Sequence, residues 1–114
     1  MIITSERMND VLVVTVHEDI NFENTKDLKN YIQKYMDEEH IGNYIIDLEH
    51  VGFIDSSGLG TLVSLLTMLK KRNGGLKLTG INENIEELFK LTRLNDFFDI
   101  YDHTELALEA LKKA

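Results

Sequence analysis

Phe53-Ile54-Asp55-Ser56-Ser57-Gly58-Leu59-Gly60 is the stretch of this 114-residue chain whose residue types and spacing best support chemistry. An acid, two adjacent hydroxyls and two glycines separate an apolar run from a helical one. A helix starting there presents unpaired amides and partial positive charge, so a phosphate at its first turn is stabilised. The same pattern serves plain capping, with one serine accepting an amide hydrogen bond.

Other chemistries find less support. Gly58-Leu59-Gly60 lacks the third glycine of a dinucleotide fingerprint, where Val63 stands, and no lysine follows at P-loop spacing. The glycines read instead as a tight turn with close helix-on-sheet packing. Ser56 is not in a G-x-S-x-G elbow, which speaks against a hydrolase. Asp47 and Asp55 near strand ends raise a phosphoacceptor receiver, with Glu18-Asp19 as the metal-holding acids. A receiver also wants a lysine at a later strand end, and Leu76–Ile81 closes on Thr79-Gly80-Ile81. His17, His40, His50 and His103 fall in separate segments without metal-ligand spacing and read as surface or loop residues.

The elements that position the octapeptide follow from periodicity. Ile2-Ile3 and Val11–Val16 form an edge hairpin whose loop spans the polar Ser5–Asp10 stretch. Leu28, Tyr31, Ile32, Tyr35 and Met36 mark a helix over 24–39, capped by Asn24 with Asp27. Tyr44–Leu48 is a buried strand. Leu59, Leu62, Val63, Leu66 and Leu69 make the stripe of a second helix, which closes on Lys70-Lys71-Arg72 and Asn73-Gly74-Gly75. Leu76–Ile81 is a strand, and Asn84 with Glu87 caps a short helix carrying Ile85, Leu88 and Phe89. Phe97–Tyr101 is the last strand. Thr104–Lys113 is the last helix, with Leu106, Ala107, Ala110 and Leu111 inward. The order ββαβαβαβα describes an α/β fold: a mostly parallel mixed sheet with an antiparallel edge strand. On the second helix Ser57, Thr61, Ser64 and Met68 cluster opposite Leu59, Val63 and Leu66. An exposed methionine among small hydroxyls suits a partner-docking face.

Composition narrows the class. Net charge is -8, with 4 basic and 12 acidic residues before Ser56 and 8 of each from there on. Nucleic-acid binding needs a basic face, so it is excluded. With 43% hydrophobic residues the chain can bury one modest core, and residues 1–114 read as a single domain. There is no cysteine and no proline, no apolar run near the roughly 18 residues of a membrane span, and no signal-peptide pattern in the first ten residues. A cytoplasmic protein without membrane contact fits.

The octapeptide resembles the signature of the STAS family, specifically its single-domain bacterial anti-sigma factor antagonists: an apolar pair, Asp, Ser, Ser or Thr, Gly, Leu, Gly. The likeness extends to the initial hairpin, the 24–39 helix, Ile45-Ile46-Asp47-Leu48, Asn73-Gly74-Gly75 and the Leu88-Phe89, Leu94, Phe97 block. The resemblance implies a STAS fold and a non-enzymatic partner switch. Unphosphorylated, such a protein binds its anti-sigma factor, a Ser/Thr kinase, and frees the sigma factor. Phosphorylation of the first serine after the Asp, here Ser56, releases it, and a PP2C-type phosphatase resets it. ATP and Mg²⁺ belong to the kinase, so the chain needs no cofactor. Joined to the docking face read from the second helix, this gives an expected partner surface of Asp55, Ser56, Ser57, Gly58, Thr61, Ser64, Met68 and the loop at Asn21. There the family usually has Gly-Asp/Glu-Leu-Asp and this chain has Glu18-Asp19-Ile20-Asn21, which keeps a turn former but loses a charge. The alternative is a STAS module of a larger signalling complex in which Ser56 is never modified.

Overall fold

The computed structural model describes residues 1–112. Five strands form one sheet in chain order: β1 (Ile3–Met8), β2 (Val11–Val16), β3 (Asn43–Asp47), β4 (Gly75–Thr79) and β5 (Asp99–Tyr101). β1 runs antiparallel to β2, and all later neighbours are parallel. The crossovers are α1 (Thr25–Glu38), α2 (Ser56–Lys71) and α3 (Glu83–Leu91), followed by α4 (Thr104–Lys112). The expected α/β fold and ββαβαβαβα order are therefore present. Lys113 of the expected last helix lies outside the described residues.

Strand alternation divides the core between the two faces of the sheet. Leu12, Val14, Val16, Tyr44, Ile46, Leu48, Leu76 and Leu78 pack against α1, α2 and α3. Val11, Val13 and Ile45 face the other way and meet Ala107, Leu108 and Leu111 of α4. Each crossover links adjacent parallel strands in the same direction, so α1–α3 share one face. The C-terminal ends of the strands consequently form one continuous row of loops on which the site is built.

Several local expectations need correction. The hairpin loop is two residues, Asn9-Asp10, with Asn9 at φ 60, and β1 runs through the polar stretch to Met8. As an edge strand β1 is held by backbone pairing to β2, so it shows no apolar alternation. Its Ser5 hydroxyl instead meets the Tyr31 hydroxyl of α1 at 2.6 Å. α3 is capped by Asn82, not Asn84: Asn82 Oδ1 accepts from the Ile85 amide at 2.8 Å, after a turn through Gly80 at φ 72. β4 ends at Thr79, and β5 begins only at Asp99, because Phe98 turns into the core against Phe89. Leu106 is 48% exposed, since the buried line of α4 runs through Ala107, Leu108 and Leu111.

Candidate functional site

Ser56 is the first residue of the 16-residue helix α2, and it is exposed together with Ser57. The cap belongs to neither serine. Asp55 Oδ1 accepts from the Gly58 amide at 2.8 Å, leaving both hydroxyls free of that task. Its other oxygen, Oδ2, accepts from the Phe22 amide at 3.1 Å, in the loop between β2 and α1.

That loop returns the favour. Asp19 Oδ1 accepts from the amides of Gly52 and Phe53 at 2.8 and 3.1 Å. Between the two carboxylates Ile20 and Ile54 form a parallel bridge, with Ile20 N donating to Phe53 O and Asp55 N donating to Ile20 O, both at 3.1 Å. Two loops thus staple each other reciprocally and set the angle at which α2 starts. Replacing Asp55 by Ala should cost about 1–2 kcal/mol through the lost cap and the freed Phe22 amide, and by Asn less, as read by urea unfolding.

Asn21 lies in the stapled loop, so the structure brings it beside Asp55. Its Oδ1 accepts from the Glu23 amide at 2.9 Å, a local turn that an Asp could also make. Asn24 occupies the N-cap position of α1 without an N-cap hydrogen bond from its side chain, contrary to the sequence expectation. Buried, it turns into the loop: Oδ1 accepts from Asn21 N at 2.9 Å, while Nδ2 donates to Asp19 O at 2.8 Å and Glu18 Oε1 at 3.1 Å. Glu18 also accepts from the Ile2 amide at 2.8 Å. That amide and Asn24 hold the Glu18 carboxyl below its ordinary range. Its contribution to stability is therefore full above the ordinary glutamate pKa and is lost as pH falls through the lowered value. Glu18→Gln should narrow its stability deficit relative to the parent as pH drops from 6 to 3, as read by urea midpoints.

The other residues expected on a docking face are placed less uniformly. Thr61 and Ser64 are half-buried, and Met68 is half-buried and packed against the core instead of standing free. Gly58 is buried: a Cβ there would sit 2.6 Å from Ile54 Cγ2 and 2.9 Å from Ile20 Cγ2. Its part is to let α2 close onto the stapled loops.

The acids that a receiver would use are engaged elsewhere. Asp47 accepts from the Glu49 amide at 3.0 Å, Asp19 holds the loop before Ser56, and Glu18 holds Ile2 and Asn24. Two of the four histidines meet: His17 and His50 stack with ring centroids 5.2 Å apart. Each follows the end of one of two neighbouring parallel strands, a relation visible only once the strand order is known. Among the described residues no three His, Asp or Glu side chains converge as a metal site, and no helix is long and apolar enough to cross a membrane.

An α/β sheet with three crossover helices on one face, and an Asp-capped helix start presenting two serines, defines a STAS-type regulatory module. The STAS domain model matches residues 3–107, and the chain belongs to the STAS domain family, within its anti-sigma factor antagonists. The Bacillus subtilis anti-sigma-B factor antagonist is 42% identical over 60 residues, spanning 53% of this chain and 55% of that one. The Listeria monocytogenes anti-sigma-B factor antagonist is 32% identical over 95 residues, 83% of this chain and 82% of that protein. A crystal structure of an anti-sigma factor antagonist from Mycobacterium paratuberculosis superposes with a TM-score of 0.86 at 25% identity, covering 97% of this chain and 93% of the other.

Proposed function

We propose that this chain is a cytoplasmic anti-sigma factor antagonist switched by phosphorylation at Ser56. Unmodified, it binds its anti-sigma factor, a serine kinase, and so frees the sigma factor. The kinase then moves the γ-phosphoryl group of its ATP to the Ser56 hydroxyl oxygen, giving ADP, the serine phosphate and a released proton. A PP2C-type phosphatase hydrolyses the ester and resets the cycle. The chain is the substrate of both and catalyses neither step.

The observation that carries this reading is an exposed hydroxyl at the first position of a long helix whose cap is supplied by another residue. Ser56 is thereby held in place yet open to an incoming phosphoryl donor. The added group brings a charge of roughly -1.5 to -2 next to Asp55, in a chain already at -8. The helix N-terminus tolerates that charge, so its cost falls on the interface.

The test is incubation with a purified anti-sigma factor kinase and Mg-ATP, followed by mass spectrometry. Phosphate is expected on Ser56, retained in Ser57→Ala and absent from Ser56→Ala. It should survive acid and be lost in alkali, unlike the acyl phosphate of a receiver. Equal labelling of Ser56→Ala would refute the assignment. The acidic excess predicts association with a more basic partner surface, at a rate that falls as salt rises.

A further inference from the structure

Helix α3 is tied to the loop that delivers Ser56. Asn82 Nδ2 donates to Gly52 O at 3.0 Å, while its Oδ1 caps the helix. Between loop and helix lies a shallow groove of about 370 Å³, walled by Phe53, Ile54, Ile85, Leu88 and Leu91 with Glu87 at its margin. Phe53 is 57% exposed and Leu91 74%. Phe22, whose amide donates to Asp55 Oδ2, is 71% exposed. Large apolar side chains left facing water around one point of a small domain mark a contact surface.

We propose that this groove receives an apolar side chain from the same partner that covers Ser56, with Lys or Arg residues flanking that side chain. The inference rests on the reading of Ser56 as a partner-facing site. Continuity supports one occupant, because Phe53 is both a wall of the groove and two residues from Asp55. Charge selects its chemistry. Glu83 and Glu87 are exposed on α3 and, among the described residues, form no ion pair, while Glu86 is neutralised by Lys90 at 3.3 Å. A second copy of this chain would bring acidic margins together between two molecules of charge -8, which repels. A basic surface carrying one apolar anchor fits both features.

Two probes test this on the full chain. The first is purified anti-sigma-B factor of Bacillus subtilis, titrated calorimetrically. The second is the peptide acetyl-Lys-Lys-Leu-Phe-Lys-Lys-amide, followed by amide NMR shifts. Leu91→Glu and Glu87→Lys alter exposed positions and should leave the circular dichroism spectrum unchanged. Each should weaken binding of the anti-sigma factor by about tenfold or more. The peptide should shift amides of residues 53–54 and 85–91 in the parent and not in either variant. Undiminished binding by both variants, with no peptide shifts, overturns the groove and leaves the Ser56 reading standing. If the parent neither binds the anti-sigma factor nor is phosphorylated by it, the Ser56 reading fails for that partner. The peptide then decides alone: shifts in the groove support the proposal and their absence overturns it. Self-association in sedimentation that disappears in Leu91→Glu would assign the groove to a second copy and overturn it as well.

Discussion

Phosphorylated at Ser56, the chain should bind its anti-sigma factor about a thousandfold more weakly than unmodified, a shift from nM to μM, or about 4 kcal/mol. A phosphate carried into an interface without a compensating cation costs that order, since stranding one buried charge costs about 3–5 kcal/mol. The neighbouring Asp55 cannot relieve it. Its two oxygens are committed to the amides of Gly58 and Phe22, and its own charge repels the new one. Within the chain the phosphate sits at the start of a 16-residue helix, where it gains about 0.3–1 kcal/mol from the helix dipole. The folded state should therefore be no less stable when modified. Calorimetric titration of both forms, with thermal unfolding alongside, separates the two effects. Ser56→Ala should bind like the unmodified parent, and Ser56→Asp should fall between the two forms. A phosphorylated chain that binds within a few-fold of the unmodified one would remove the switch.

Gly58→Ala and Gly60→Ala, two positions apart on the same helix, should change stability in opposite directions. At Gly60 an added Cβ meets nothing within 4 Å, so alanine gains helix propensity of about 0.5–1 kcal/mol. At Gly58 the same methyl would lie 2.6 Å from Ile54 Cγ2, 2.9 Å from Ile20 Cγ2 and 3.2 Å from Ile20 O. Ile20 and Ile54 are fully buried and bridged to each other, so neither can swing aside. Overpacking of about 1–3 kcal/mol then outweighs the propensity gain, leaving a net loss of about 1–2 kcal/mol. At roughly 4 °C per kcal/mol, Gly58→Ala should melt several degrees lower and Gly60→Ala a few degrees higher. Gly58→Ala should also slow phosphorylation of Ser56, because relief of the clash requires the helix start to lift from the stapled loops. Unchanged melting in Gly58→Ala would mean that Ile20 and Ile54 can repack.

The elements legible in the sequence are those that bury one face. Leu28, Ile32 and Met36 in α1 and Leu59, Leu62, Leu66 and Leu69 in α2 repeat at helical spacing and are buried as expected. Tyr44, Ile45 and Ile46 are apolar in succession because both faces of β3 are covered. β1 was illegible beyond Ile3, since an edge strand is specified by its neighbour's amides and carbonyls, which its own side chains do not record. Caps were half legible. Asn24, Asn82 and Asn84 offer the same side chain, and which one bonds where depends on how the preceding loop turns. Leu106 misled because α4 rests on the sheet over a narrow line, so an apolar residue one step off that line stays wet.

The amino-acid order by itself determined the succession of elements, the mostly parallel sheet, and the placement of Asp55, Ser56 and Ser57 at the start of the second helix. These follow from periodicities of two and of three to four residues, which act between near neighbours and are written along the chain. Only the tertiary structure decided that Asp19 and Asp55 clasp opposite loops, that Gly58 is buried, and that Phe53 shares a groove with Leu91. Those facts join residues such as Phe22 and Asp55, 33 positions apart, and become defined when β2, β3 and β4 lie side by side. No local pattern encodes a separation of that kind. It is set by which strand ends the sheet brings into one row.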